Sequence, residues 1–188
     1  MTTLDEAWRW YEASRSQMRL MLRLAKRHWH AMPWDGPLGK DDQLKSLEAA
    51  EIVKSSEFSL QHLDDIAIVV LFSVFEAIVR ERIKAEVLAE AKTIKHVALK
   101  QAAKETVQWI DEGSFFRVSE PFKAFNPDLV EEVNQVRRYR NWVSHGKRNL
   151  APAPVTPKAA QERLERFIEL MDAQNAPQSE GKIEIRGI

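Results

Sequence analysis

The stretch that decides the fold is Ile66-Ala-Ile-Val-Val-Leu-Phe-Ser-Val-Phe-Glu-Ala-Ile-Val79, in which Glu76 is the single charge. Its apolar positions, among them Ile66, Val69, Val70, Phe72, Val74, Phe75, Ile78 and Val79, leave almost no polar face. A helix of that kind belongs in the middle of a bundle. With Asp64 and Asp65 just before it, the stretch is too short and too charged to span a bilayer. Extended over its flanks, the pattern predicts a long helix over residues 59–91.

The rest of the chain has the same character on either side. Six glycines and eight prolines, the latter gathered mainly at 33–37 and 121–157, leave long stretches with helical spacing, so the expected fold class is all-α. A first helix is predicted over 4–31, capped by Thr3, with Asp5 and Glu6 at its positive end and Trp8, Tyr11, Met18, Leu22 and Ala25 among its apolar positions. Pro33-Trp34-Asp35-Gly36-Pro37 breaks it, and a loop with one short helical piece near 44–53 leads onward. A further helix is expected over 94–111, ending before Gly113. The aromatic segment 114–127 reads as a loop. Asn126-Pro127-Asp128 opens a helix over 127–145 that Gly146 ends, because proline is tolerated in a first turn and glycine favours a helix end. After the proline-rich connection Asn149-Leu-Ala-Pro-Ala-Pro-Val-Thr-Pro157, a last helix runs to about residue 173. The tail Lys182-Ile-Glu-Ile-Arg186 alternates like a strand, too short to stand alone. One domain over 1–173 with a tail over 174–188 accounts for the 188 residues.

Lys+Arg and Asp+Glu each number 28, so the net charge is zero and any polyanion must be held by a local patch. The chain has no cysteine, which excludes a disulfide framework, a thiolate nucleophile and a sulfur-based zinc site. The segment Met1-Thr-Thr-Leu-Asp-Glu-Ala-Trp-Arg-Trp10 lacks the basic and apolar regions of a signal peptide, and the expected setting is cytoplasmic, away from the membrane.

Against this neutral background one window stands out. Residues 133–161 contain no Asp or Glu and six basic residues: Arg137, Arg138, Arg140, Lys147, Arg148 and Lys158. Such a surface suits a phosphodiester backbone, although basic residues near a helix C-terminus also answer the helix dipole without any ligand. Leu129, Val133, Val136, Arg140 and Val143 share one helical stripe, which places a guanidinium where an apolar side chain is expected. A charge on a packed seam needs an anion, supplied either by a carboxylate of the chain or by a phosphate ligand. Glu76 is the internal candidate; the competing reading pairs it within its own helix with Arg80, four residues on. His145, in the last turn before Gly146, lies where exposed carbonyls stabilise an imidazolium, which suits acid–base work but also an ordinary capping histidine. Asn141 shares its face, whereas Arg140 is offset by about 140° around the helix axis. A second copy across a two-fold axis could close that gap.

Arg140-Asn141-Trp142-Val143-Ser144-His145-Gly146 resembles the R-N-x-x-x-H-G signature of the HEPN superfamily. The resemblance covers this motif and the general helix layout. It implies a helical bundle that dimerises so that two such motifs face one cleft, and a metal-independent endoribonuclease of a toxin–antitoxin or antiphage system, with RNA as substrate, no cofactor, and an antitoxin or defence-system protein as a further partner. In that family His145 would be the acid–base group, Arg140 would bind the scissile phosphate, and Asn141 would orient both. Attack by a ribose 2′-hydroxyl would leave a 2′,3′-cyclic phosphate and a 5′-hydroxyl. Arg137, Arg138, Ser144, Lys147 and Arg148 are the expected RNA contacts, and Glu76 the positioning carboxylate. HEPN toxins paired with nucleotidyltransferase antitoxins often carry a tyrosine two residues after the histidine, where this chain has Lys147, so control by modification there is not expected. The alternative from another class is a non-catalytic HEPN-like module binding RNA or a protein through the same basic surface. A third reading is a helical interaction protein in which Arg140 and Glu76 are structural.

Other signals carry less. Trp34-Asp-Gly-Pro-Leu-Gly-Lys-Asp41 lacks the first glycine and the final Ser or Thr of a phosphate loop. His28 and His30 fall on different helix faces, and His62 and His96 have no ligand partners at helical spacing, so no metal site is expected. Trp8, Trp10, Trp29 and Trp109 read as core or interface, while Trp142, inside the motif, is placed to meet a base or a second copy.

Overall fold

A computed structural model describes residues 1–148 and 150–175 of the chain. Its described residues form seven α-helices and three short 3-10 turns, with no strand. The helices are α1 (Leu4–Arg27), α2 (Asp42–Lys45), α3 (Ala49–Thr93), α4 (Val97–Glu112), α5 (Phe115–Ser119), α6 (Pro127–Ser144) and α7 (Pro157–Asn175). The strand-like tail 182–186 lies outside the described residues. Among the described residues no helix is long and apolar enough to cross a membrane.

The apolar stretch 66–79 forms the centre of α3, a 45-residue helix against which α1, α4, α6 and α7 pack. At about 1.5 Å per residue it is about 68 Å long, which leaves different neighbours for different thirds. α1 runs antiparallel along its first half: Leu4 and Ala7 share the main core with Ile68, Tyr11 Oη donates to Asp64 Oδ1 at 2.8 Å, and Lys26 pairs with Glu57. α4 folds back along the distal part, where Lys84 pairs with Asp111. α6 and α7 close the middle, and their antiparallel contact is marked by Arg163 with Gln135 and by Arg166 with Glu132.

The core is built on aromatic rings. Phe75 stands edge-on to Phe115 and Phe167, with centroids 5.4 and 5.5 Å away, and Phe72 contacts both Phe75 and Phe115. Tilted and edge-on pairs at these distances match the quadrupoles of the rings in addition to the area they bury. One of these rings, Phe115, comes from the segment 114–127, which reads from sequence as a loop. It is instead α5 followed by a 3-10 turn over Glu120–Ala124, because Phe115 and Val118, three residues apart, both bury on the core and Phe122 stacks on Phe167. Pro121 occupies the first turn of that 3-10 segment, where its missing N–H costs nothing.

Three more boundaries differ from the sequence expectation. The short helix near 44–53 and the long one over 59–91 are not separate: α2 is only four residues, and α3 starts at Ala49 and continues unbroken. No glycine or proline occurs between Ala49 and Thr93, so no such residue breaks α3. α1 ends at Arg27 rather than 31, because Trp29 turns into a second small core with Ala25 and Ile52, and its carbonyl accepts from Trp34 Nε1 at 3.1 Å. Trp109, expected in the core or at an interface, is 41% exposed.

Phe75→Ala is expected to cost about 3–5 kcal/mol, since a fully buried ring with three aromatic neighbours leaves a cavity. Leu99→Ala, on an exposed face of α4, is expected to stay within about 0.5 kcal/mol of wild type. Denaturant unfolding of the two variants checks the contrast.

Candidate functional site

α6 starts where Asn126 Oδ1 accepts from the Leu129 amide at 3.0 Å, with Pro127 in its first turn. Leu129, Val133 and Val136 are buried against α3 and α7, and the stripe continues, as the spacing predicts, to Arg140. Its guanidinium lies 5.0 Å from the centre of the Phe72 ring, and Nη2 donates to Glu76 Oε2 at 2.7 Å. The two sequence readings of Glu76 turn out to be compatible. Its Oε1 also accepts from Arg80 Nη2 at 2.7 Å and from Arg80 Nε at 3.1 Å, so one carboxylate serves two guanidiniums. Arg80 in turn donates to the carbonyls of Ile110 and Gly113, the latter at 2.9 Å, and so caps the C-terminus of α4.

Arg140 Nη1 donates to Asn141 Oδ1 at 3.1 Å. Asn141 is therefore the junction between the packed Arg140 and the outer side of α6. There Arg138, Asn141, Trp142, His145 and Arg148, with Leu150 and Pro152, line an open hollow of about 280 Å³. The His145 side chain is exposed and makes no hydrogen bond or ion pair to a described residue. Arg140 is absent from the walls of the hollow, in keeping with its angular offset from His145.

The end of α6 is a Schellman motif: the Gly146 amide donates to the Val143 carbonyl at 3.0 Å and the Lys147 amide to the Trp142 carbonyl at 2.9 Å. Both Gly146 and Lys147 have positive φ, 72° and 57°. The first conformation suits glycine; the second strains a side-chain-bearing residue and must be held by its surroundings. Asp65 supplies the hold. Its Oδ2 accepts from Lys147 Nζ at 2.6 Å and its Oδ1 from Tyr139 Oη at 2.7 Å, while Lys147 Nζ also lies 5.1 Å from the centre of the Trp142 ring. Burial pushes the Asp65 carboxyl up, but the bonds from Lys147 and Tyr139 outweigh it and the net shift is downward. Burial and the Asp65 bond push the Tyr139 phenol up to about 12.

Among the remaining sequence candidates, Arg138 lines the hollow and also pairs with Glu131. Arg137 is half-buried away from it: Nε donates to Asn134 Oδ1 at 3.1 Å and the guanidinium faces the Phe116 ring. Burial, together with the charges of Arg138 and Arg140, lowers its proton affinity. Ser144 is exposed outside the hollow, and Lys147 turns to Asp65. Asp65 was missed as a site-building residue. Its signal was its position eleven residues before Glu76, which returns to nearly the same helix face after three turns. Among the described residues no group of three or more His, Cys, Asp or Glu is placed to hold a metal ion. Comparison of the chain with protein-family models, with curated proteins and with solved structures finds no match.

Asp65→Asn is expected to cost about 1–3 kcal/mol at pH 7, toward the lower end because Lys147 is half-exposed. Because the folded carboxyl titrates below its ordinary range, its contribution is complete above about pH 4 and is lost as the pH falls through the depressed value. The stability gap between wild type and variant, read from denaturant midpoints, should therefore close on acidification below that point; no gap at pH 7 would contradict the strut.

Proposed function

We propose that this chain is a HEPN-type endoribonuclease that acts as a homodimer, without a metal, in a cytoplasmic toxin–antitoxin or antiphage system. The observation that carries the reading is the His145 imidazole. It is exposed and unengaged in a hollow with two further cations, Arg138 and Arg148, and shares that hollow with Asn141, whose carbonyl oxygen holds Arg140. A proton-transferring group, a fixed cation, and a place for a phosphate are the requirements for transesterification of RNA.

In this reading His145 of one copy takes the proton of a ribose 2′-hydroxyl as its oxygen attacks the adjacent phosphorus. The bond from phosphorus to the 5′-oxygen breaks, and that oxygen receives a proton from the imidazolium of the second copy. The products are a 2′,3′-cyclic phosphate and a 5′-hydroxyl. Arg140, outside the His145 hollow of its own copy, neutralises the charge that develops on the phosphate oxygens in the cleft that the two copies form together, and Asn141 keeps the guanidinium and the imidazole in register. DNA, which lacks the 2′-hydroxyl, is not cleaved. The roles of the toxin or defence system and of an antitoxin partner rest on the motif resemblance.

One observation favours a second reading. Arg140 is already paired with Glu76 and packed on Phe72, which is what a structural arginine in a non-catalytic RNA- or protein-binding module would do.

Incubating wild type, Arg140→Ala and His145→Ala with total RNA in EDTA, after circular dichroism confirms that all three are folded, separates the two. Chelator-resistant cleavage with 2′,3′-cyclic phosphate ends, slowed about 10²–10⁴-fold in His145→Ala and about 10²–10³-fold in Arg140→Ala, is the expected result. RNA binding without cleavage by wild type supports the module and overturns the nuclease.

A further inference from the structure

A hollow of about 700 Å³, larger than the one at His145, lies elsewhere on the surface. It is an open groove between α1 and the start of α7, and four cations line it, Arg15, Arg19, Arg23 and Lys158, against two carboxylates, Glu12 and Asp64. The three arginines recur every four residues, so they stand on one face of α1 at steps of about 6 Å. Arg15 is fixed by Tyr11, whose hydroxyl accepts from Arg15 Nη1 at 2.5 Å and donates to Asp64 Oδ1. Asp64 is thus largely spent on Tyr11 and Arg15. Arg19 and Arg23 are exposed and make no hydrogen bond or ion pair to a described residue. Lys158 already has Glu162 at 3.8 Å, but Arg19 and Arg23 have no carboxylate partner among the described residues, and an anion that spans the two relieves their mutual repulsion.

The groove is also tied to the His145 hollow. Leu150 and Pro152 wall that hollow, and Thr156 of the same connection, with Pro157 and Lys158 at the start of α7, walls the groove. Pro152 and Thr156 are four residues apart, at most about 14 Å even if fully extended. On α3, Asp64 lines the groove and the next residue, Asp65, anchors Lys147 beside His145. Trp8, on the groove wall, offers a partly buried indole for stacking.

We propose that this groove is a second binding site, which holds the phosphate backbone of single-stranded RNA flanking the bond placed at His145. The proposal rests on the ribonuclease reading for the identity of the polyanion. Evenly spaced guanidiniums without base-reading partners make it a backbone site, which adds affinity for any sequence and positions the strand without selecting it.

The test is fluorescence anisotropy with a fluorescein-labelled twelve-nucleotide oligouridylate and the full chain carrying His145→Ala, so that binding is read without cleavage. In that background Arg19→Glu/Arg23→Glu is compared with Lys100→Glu/Lys104→Glu, an equal charge reversal on exposed residues of α4. The groove variant is expected to bind about 10–100-fold more weakly at low salt. Losing two phosphate contacts should also reduce the slope of log affinity against log salt by about 1.4. The neutral pair Arg19→Gln/Arg23→Gln should reproduce the slope change with a smaller loss of affinity, which guards against misfolding of the reversed pair. Binding by the groove variant within twofold of the α4 control, an equal loss in both, or no binding before substitution would each overturn the proposal; the first is also what a groove for an acidic protein would give. Failure of the nuclease reading shows separately, as absence of chelator-resistant cleavage by wild type.

Discussion

One carboxylate ties the bundle together beside the candidate site. Glu76 sits in the least polar stretch of the chain and accepts from Arg80 of its own helix and from Arg140 of α6. Its side chain is 21% exposed, and those of Arg80 and Arg140 are 14% and 25% exposed. Charges this far from water are expensive alone, and removing one member leaves the others uncompensated. Arg80 carries the link to the C-terminal carbonyls of α4, so Glu76 ties three helices at one point. The arrangement is not fully satisfied: Arg140 Nε is buried with no hydrogen-bond partner among the described residues, a cost the packing of the guanidinium on Phe72 must offset.

A second carboxylate on the same face of α3 completes the clamp. α6 runs antiparallel to α3, so moving from Glu76 back to Asp65 corresponds to moving from Arg140 forward to Lys147. The two cations, seven residues apart, are therefore gripped by carboxylates eleven residues apart. Between the grips lie Asn141, Trp142 and His145, and the chain is bent there by the left-handed pair Gly146 and Lys147. Rigid anchoring at both ends of a short segment lets an exposed imidazole keep a defined position without any bond of its own. The Asp65 end lies between the two hollows: Asp65 steadies the wall of one, and its neighbour Asp64 lines the other.

Much of this was legible in the sequence, for reasons that differ from element to element. The apolar run 66–79 and the stripe from Leu129 to Val143 announce themselves by periodicity, and Pro127 and Gly146 by their backbone limits. Arg140 was conspicuous because a charge interrupted that stripe, and Glu76 because it stood alone among apolar residues. The segment 114–127 was not legible as helix: Phe115 and Phe122 earn their order from the rings of Phe75 and Phe167, which are distant in sequence. The continuity of α3 through 54–58 is likewise set by packing with α1. Asp65 went unread because its partners, Tyr139 and Lys147, lie 74 and 82 residues away. The cationic face of α1 was hidden by the neutral total, since opposite charges elsewhere cancel it.

The most direct measurement is a thermodynamic double-mutant cycle on Glu76→Gln and Arg140→Gln, with unfolding free energies from denaturant titration of the four proteins. A coupling of about 1–3 kcal/mol between the two positions is predicted, because each charge is expensive in the absence of the other. Single losses that add to within about 0.5 kcal/mol would mean that the two groups do not depend on one another, and the anchoring of α6 by Glu76 would be wrong.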